Sequence, residues 1–226
     1  MKKIISLLII IAMAGSMLAC DFKTFFNDFA DGFVEGFEGA FADGGSFSGD
    51  NTGMRGIVDG DVYTNDYVGI KFVKPDFWGY SSDKSLAETF NVTEEMIHND
   101  NFKQSLDSNL ALYDMMAKNL INGSNVLVGY ENLKFTSSED ITEIEYLESA
   151  KEQLENQSGM NATFPNSIDT AKLGDTEFTR LVYNISMNGV SMIQANYACK
   201  IDSYMAIVVI TVTDGYSLEE IEAMFQ

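Results

Sequence analysis

Residues 178–212 read FTRLVYNISMNGVSMIQANYACKIDSYMAIVVITV, and this stretch decides the fold. Apolar and polar residues alternate across residues 178–187, which is the period of a half-buried strand. Asn188-Gly189 is a strong signal for a two-residue hairpin turn. Residues 190–201 then form the return strand, and residues 204–212 are apolar on both faces, as in a central strand. The stretch therefore predicts consecutive antiparallel strands.

The sequence before and after this stretch predicts short strands and several helices. Strand-like composition occurs in three short runs, at residues 62–63, 68–73 and 126–130. Apolar residues recur at helical spacing across residues 93–120, with a break near residues 98–101 and an end at Asn122-Gly123. The same spacing occurs again across residues 142–157. Ser217 with Glu220 forms a capping box that opens a last helix. We therefore expect an α+β domain, an antiparallel β-sheet flanked by helices.

Two parts of this pattern have the order of a known domain. YVGIKF at 67–72 followed by PDFW at 75–78 gives an aromatic residue, a short strand, a proline, a turn and a tryptophan. This order resembles the opening of PsbP-like (Mog-like) domains, and residues 173–212 with the closing helix resemble their second half. The resemblance covers residues 61–226 and implies an α/β/α sandwich with a non-catalytic, partner-binding role. It transfers no binding residues, because no site motif matches.

The first 20 residues have the order of an export signal. Lys2 and Lys3 precede an apolar run at residues 4–12, and Met17-Leu18-Ala19-Cys20 follows. These last four residues resemble a lipobox, in which the cysteine sulfur receives a diacylglyceryl group and a peptidase cuts just before it. The sequence therefore predicts a bacterial lipoprotein with a signal peptide at residues 1–19 and lipidation at Cys20. It would lie on the extracytoplasmic face of the cell membrane. The alternative is an ordinary secretory signal that ends in a cysteine.

Residues 20–60 form a Gly-, Phe- and Asp-rich tether, and residues 61–226 have the composition of one globular domain. Within the tether, six phenylalanines recur every three or four residues: Phe22, Phe26, Phe29, Phe33, Phe37 and Phe41. This spacing places the rings along one side of a helix, whereas the glycines between them oppose helix formation. Two interpretations stay open: a loose spacer, or an amphipathic segment that docks on the membrane or on a partner.

Acidic residues dominate the charge of the exported chain. Removal of Lys2 and Lys3 leaves 12 basic against 34 acidic residues, a formal net charge of −22. Such a surface repels nucleic acid and anionic lipid headgroups. The expected partners are therefore the membrane, through the lipid anchor, and a protein of the cell envelope.

Motifs that carry catalysis are missing from the sequence. His98 is the single histidine, no Gly-x-Ser-x-Gly elbow or phosphate-binding glycine loop occurs, and no cysteines and histidines have zinc spacing. With Cys20 lipidated, Cys199 has no disulfide partner, and we expect a buried, inert thiol. The sequence predicts no catalytic residue, no metal and no cofactor.

Three functions fit this description. The first is a non-catalytic binding or scaffolding lipoprotein, and the second is an envelope-maintenance lipoprotein whose Phe-rich tether docks on a membrane complex. The third is a surface hydrolase acting on glycans through paired carboxylates. Acidic pairs occur at Glu94-Glu95, Glu139-Asp140 and Glu219-Glu220. They lie at predicted helix starts, where they also complement the helix dipole.

Overall fold

The computed structural model describes residues 53–90, 93–97, 102–135, 139–156, 161–187 and 190–226. The strands are β1 (Ile57–Asp59), β2 (Val62–Asn65), β3 (Ile70–Val73), β4 (Trp78–Tyr80), β5 (Ala111–Asn119), β6 (Asn125–Asn132), β7 (Asn161–Thr163), β8 (Asp169–Leu173), β9 (Thr176–Met187), β10 (Val190–Ile201) and β11 (Tyr204–Val212). The helices are α1 (Asp83–Phe90), α2 (Glu94–Ile97), α3 (Phe102–Ser108), α4 (Glu143–Glu155) and α5 (Leu218–Glu222).

Two antiparallel sheets build the domain. β1, β2 and β3 form a small sheet in that order, and the large sheet has the order β4-β5-β6-β11-β10-β9-β7, with β8 also paired to β9. The prediction from residues 178–212 is confirmed: β9, β10 and β11 pair consecutively. All nine residues of β11 are buried between β6 and β10. The turn at Asn188-Gly189 lies outside the described residues.

Each face of the large sheet is covered by a different kind of layer. On one face the sheet packs against α1, α2 and α4. On the other face it packs against the small sheet together with α3 and α5. The antiparallel sheet of the prediction is confirmed, but the fold is mostly β, and an α/β/α sandwich does not describe it. The second outer layer is largely strands, because residues 57–73 pair with each other as a sheet.

The helix predicted across residues 93–120 is wrong beyond residue 108. α2 and α3 occupy its first part, but Ala111–Asn119 is strand β5, paired with β4 and β6. All residues of β5 after Ala111 are buried, so both faces carry apolar side chains and the two-residue alternation is hidden. Asn122-Gly123 therefore lies in the β5–β6 turn and does not end a helix; Gly123 has φ +81°.

The predicted capping box at Ser217 is confirmed, and the same arrangement occurs at Thr142. Thr142 and Ser217 each accept a hydrogen bond from the backbone of the third helical residue, and that residue's glutamate accepts from the backbone of the cap. In α4 the buried stripe contains Tyr146, Leu147, Ala150 and Leu154. Helical spacing in the sequence predicts a stripe of Ile144, Leu147, Lys151 and Leu154, but Ile144 is exposed.

The folded domain begins before the predicted boundary at residue 61. Met54, Arg55 and Val58 are all buried, and β1 pairs with β2. Residues 53–60 include three glycines and end a Gly-, Ser-, Asp- and Asn-rich run at residues 44–60, whose composition is that of a linker. Their contacts make them part of the core of the second face.

Candidate functional site

The predicted lipidation and docking residues lie outside the part of the chain that the structure describes. These are Cys20, Phe22, Phe26, Phe29, Phe33, Phe37 and Phe41, and His98 is also outside it. Within the described ranges, no helix is long and apolar enough to cross a membrane. In the same ranges no three His, Cys, Asp or Glu side chains gather as metal ligands.

The described members of the acidic pairs lie on the surface. Glu94, Glu139, Asp140, Glu219 and Glu220 are all exposed. The carboxylate of Glu220 also accepts a hydrogen bond of 2.7 Å from the N–H of Ser217 as part of the capping box. The side chain of Glu95 is outside the described set. These carboxylates therefore do not gather in a cleft.

Cys199 is half-buried, where a buried thiol was expected. Burial raises the pKa of this thiol, and the carboxylate of Glu143 raises it further. A raised pKa keeps the sulfur protonated at neutral pH, so the thiol is a poor nucleophile. The expected lack of reactivity therefore has a physical basis in the structure, although the burial is incomplete.

A buried ionic cluster lies where the chain enters the domain. The guanidinium of Arg55 donates to both carboxylate oxygens of Asp83, at 2.5 and 3.0 Å, and to the carbonyl oxygen of Ile97. Its Nε lies 3.7 Å from a carboxylate oxygen of Asp114. The ring of Phe102 lies below the guanidinium, 5.9 Å from Cζ. One buried cation thus joins α1, α2 and β5.

Asp114 accepts hydrogen bonds from three further groups. Its carboxylate accepts from the N–H of Gly56 at 3.0 Å, from Asn65 Nδ2 at 2.7 Å and from the hydroxyl of Tyr63 at 2.5 Å. Asp114 lies at a β-bulge, because the β5–β6 register shifts between Tyr113 and Met115. A bulge redirects a side chain that regular pleating would direct elsewhere.

The surroundings of Asp114 change its acidity in opposing directions. Burial raises its pKa, and Arg55 and the hydrogen bonds lower it by a smaller amount. Burial and the nearby carboxylate raise the pKa of Tyr63 well above its usual value. The cluster is enclosed, and its acceptor oxygens are occupied by protein donors. It therefore fixes residues 53–56 to the central sheet, and it is a structural anchor, not a substrate site.

A second polar group of residues crosses the helix-covered face of the sheet. Strand register places four buried side chains opposite one another in a row: Lys118, Asn125, Thr211 and Gln194. Among the described residues, Asn125 Oδ1 and Thr211 Oγ1 have no hydrogen-bond partner. Neighbouring atoms enclose both oxygens completely, which leaves no space for a ligand beside them. Burial lowers the pKa of Lys118 to about 8.

The two most exposed large apolar residues of the described chain, Ile121 and Phe77, lie at one end of the large sheet together with exposed Leu120. Ile121 is 74% exposed, Phe77 67% and Leu120 43%. Leu120 and Ile121 lie in the β5–β6 turn, and Phe77 lies just before β4, which pairs with the end of β5. We call these three residues the end surface. Exposed apolar clusters of this kind mark interaction sites.

The β5–β6 turn is held rigidly by the side chain of Asn119. Its Oδ1 accepts hydrogen bonds from the N–H groups of Ile121, at 2.9 Å, and Asn122, at 3.0 Å. The backbone N–H of Gly123 returns to the carbonyl of Asn119 at 3.0 Å. Thr213 Oγ1 donates a hydrogen bond of 2.6 Å to the carbonyl of Asn122, and this bond ties the β5–β6 turn to the segment that follows β11. The apolar side chains of the turn are therefore presented on a fixed backbone.

Phe77 has a strained backbone. Its φ is +65°, a left-handed conformation that bulky residues rarely adopt and that costs on the order of 1–3 kcal/mol. Directly after it, Trp78 is buried and packs edge-on against Tyr216 at 5.8 Å. The strain thus leaves the phenyl ring of Phe77 on the surface while the next ring enters the core.

Sequence reasoning missed the end surface. The sequence pattern predicts that Phe77 is one of the large rings at the edge of the core and that Leu120 ends a helix, and it assigns no role to Ile121. The signal that indicates the site is the run Leu-Ile directly before Asn-Gly, two large apolar residues inside a turn. Turns usually carry Gly, Asn, Asp, Ser or Pro. Two large apolar residues in a turn are therefore unusual.

The fold and the site together define an antiparallel α+β domain with a rigid, exposed apolar surface. No protein family and no curated protein matches the chain. The chain is similar to the solution structure of cyanobacterial PsbP (CyanoP) from Synechocystis sp. PCC 6803, with a TM-score of 0.43 and 10% identity. That similarity covers 73% of this chain and 90% of that chain.

A crystal structure from Bacteroides thetaiotaomicron VPI-5482 is also similar, with a TM-score of 0.34 and 11% identity. The similarity covers 70% of this chain and 44% of that chain. This chain therefore spans less than half of that protein. Neither comparison tests the lipoprotein prediction.

Proposed function

We propose that this chain is a lipid-anchored lipoprotein of the cell envelope, whose domain binds a protein partner without catalysis through the end surface. In this proposal the diacylglyceryl group on Cys20 holds the chain at the extracytoplasmic face of the membrane. Residues 21–52 then form the tether, and the folded domain follows from residue 53.

The anchor is supported by the sequence. A basic start, an apolar run and Met17-Leu18-Ala19-Cys20 stand in the order of a lipoprotein signal. Acyl chains anchor firmly when two or more are present, since each buried CH₂ contributes about 0.8 kcal/mol. The 32 residues between Cys20 and the domain extend to at most about 110 Å, so the domain can reach partners well away from the bilayer.

Binding, as distinct from catalysis, rests on the end surface. Ile121, Phe77 and Leu120 stand exposed on two turns that are tied to each other, while the buried polar clusters of the described domain are enclosed. A rigid apolar surface loses little conformational entropy when a partner covers it, which favours association. The described carboxylates of the acidic pairs are exposed on the surface, so they do not favour the alternative of a glycan hydrolase, which needs two acids in a cleft.

The anchor is tested by the substitution Cys20→Ser in the full-length chain expressed in a bacterium. A hydroxyl cannot receive the thioether-linked lipid, so the variant should leave the membrane fraction. Its leader should also stay attached or be cut elsewhere. If the variant still sediments with membranes and is trimmed before residue 20, the lipoprotein proposal is wrong.

A further inference from the structure

Acidic residues border the end surface. Asp76 immediately precedes Phe77 and is exposed. Asp214 is exposed in the turn whose Thr213 hydroxyl bonds to the carbonyl of Asn122, beside Ile121. The apolar centre is therefore flanked by carboxylates from two different turns.

Neighbouring lysines do not offset these carboxylates. The ammonium of Lys74 pairs with the carboxylate of Asp61. Lys118 is buried on the helix-covered face, at 5% exposure. Across residues 53–226 there are 27 acidic and 11 basic residues, a formal net charge of −16. The end surface is thus an apolar centre in a strongly negative field.

From this arrangement we infer that the partner presents a short apolar segment flanked by lysine or arginine side chains. The inference rests on the proposed function and adds the chemistry of the partner to it. Basic groups at the edge of an interface speed encounter with an acidic surface and exclude partners of the wrong charge. The apolar side chains of the partner would cover Ile121 and Phe77, where buried contacts at the centre of an interface contribute most of the affinity.

The same charges disfavour the other occupants of the surface. Residues 21–52 of this chain contain seven acidic residues and one lysine, a net charge of −6, so the Phe-rich tether is repelled by the domain. A second copy of the domain carries the same −16. Bilayers with anionic headgroups repel it as well. A basic protein segment is the occupant for which charge and apolar contact act together.

Two synthetic peptides serve as probes. Both have the same length and the same leucine and tryptophan residues, and they differ only in carrying lysine or glutamate at every charged position. Binding to the mature chain, residues 20–226, is measured by fluorescence anisotropy at low and at moderate salt. We expect the lysine peptide to bind at least tenfold more tightly than the glutamate peptide, with a difference that shrinks as salt is added.

Matched variants locate the binding. Ile121→Ser should weaken binding of the lysine peptide about tenfold, whereas Ile144→Ser, which changes an exposed isoleucine on α4, should leave binding unchanged. Asp76→Asn with Asp214→Asn should weaken it several-fold. Glu148→Gln with Glu152→Gln removes two exposed carboxylates from α4 and should have little effect. Nonspecific attraction between a basic peptide and an acidic protein would affect each variant and its matched control equally.

The possible negative results distinguish an error in the proposed function from an error in the inferred charge of the partner. If both peptides bind equally and Ile121→Ser still abolishes their binding, the inferred charge of the partner is wrong, but the docking surface is supported. Equal effects of Ile121→Ser and Ile144→Ser would overturn the docking surface and with it the binding part of the proposed function. Ile121-dependent binding to phosphatidylcholine vesicles, Ile121-dependent self-association in sedimentation, or competition by a peptide of residues 20–52 would each overturn the inferred partner and identify another occupant.

Discussion

The backbone N–H of Leu120 donates a hydrogen bond of 2.9 Å to the carbonyl oxygen of Phe77. This bond joins the turn before β4 to the turn between β5 and β6, two segments that are 43 residues apart in sequence. Because the bond joins the backbones that carry both exposed side chains, it restrains the two turns relative to each other. The end surface is therefore preorganised before any partner arrives, which lowers the entropic cost of binding.

Phe77→Gly should separate stability from binding. Glycine adopts φ +65° without steric cost, and the lost phenyl ring is mostly exposed, so the free energy of unfolding should stay level or rise by about 1 kcal/mol. Binding of the basic peptide should fall about tenfold. Asp202→Gly is the control, since Asp202 also has a positive φ, of +54°, but lies in the β10–β11 turn. A loss of peptide binding in both variants would contradict the account.

Arg55→Met should destabilise the domain by about 3–5 kcal/mol, because it leaves two buried carboxylates without their cation. Adding Asp83→Asn should restore part of this loss, since one uncompensated charge is then removed. Lys103→Met provides the comparison: its ion pair with Asp107, at 2.8 Å, is half-exposed and should contribute less than about 1 kcal/mol. Urea unfolding measures all three variants. Equal losses in Arg55→Met and Lys103→Met would refute the anchor role of the cluster.

Gly56→Ala should also destabilise the domain, by about 1–3 kcal/mol or more. A Cβ atom at this position would lie 2.2 Å from the ring of Tyr63, which is fully buried and cannot yield easily. In a Tyr63→Leu background the same substitution should cost much less, because the ring atoms are gone. A double-mutant cycle of urea midpoints gives the coupling. Strictly additive effects would show that the two residues do not meet in solution.

Lys118→Met should stabilise the domain at neutral pH. Burial lowers the pKa of Lys118 to about 8 from 10.5, so folding disfavours its charged form by about 3 kcal/mol below pH 8. Between about pH 8 and pH 10.5 the unfolded chain binds more protons than the folded chain. The unfavourable contribution of Lys118 to the free energy of folding therefore decreases as the pH rises through this window, and it disappears above about pH 10.5.

The measurement is the difference in unfolding free energy between Lys118→Met and wild type at pH 7 and pH 9.5. The gain from the substitution should shrink by about half over this interval. Lys172→Met, at an exposed position on β8, should show a difference that stays constant. A constant difference for Lys118→Met as well would mean that its amine is not desolvated.

The parts of the fold that follow from local chemistry were predictable. Alternation identified β9, the continuous apolar run identified β11, and the Ser217–Glu220 pair identified the start of α5. β5 was not predictable by the same means, because a strand buried on both faces has no alternation, and its bulge shifts the spacing towards that of a helix.

The contacts that define the candidate site also depend on distant pairing. Phe77 meets Leu120 only because β4 pairs with the end of β5. Composition places Arg55 in the linker, because its partner Asp83 lies 28 residues away in sequence and no local spacing connects the two residues. The lipid anchor is the reverse case: it is predicted by the sequence alone, and Cys20 lies outside the described residues.

Mass spectrometry of the mature N-terminal peptide shows whether Cys20 is the first residue and carries the lipid. The full-length chain is expressed in a bacterium, purified from membranes in detergent and digested. The first residue of this peptide should be Cys20, and its mass should include a diacylglyceryl group. A mature peptide that begins elsewhere, or an unmodified Cys20, would contradict the lipoprotein proposal.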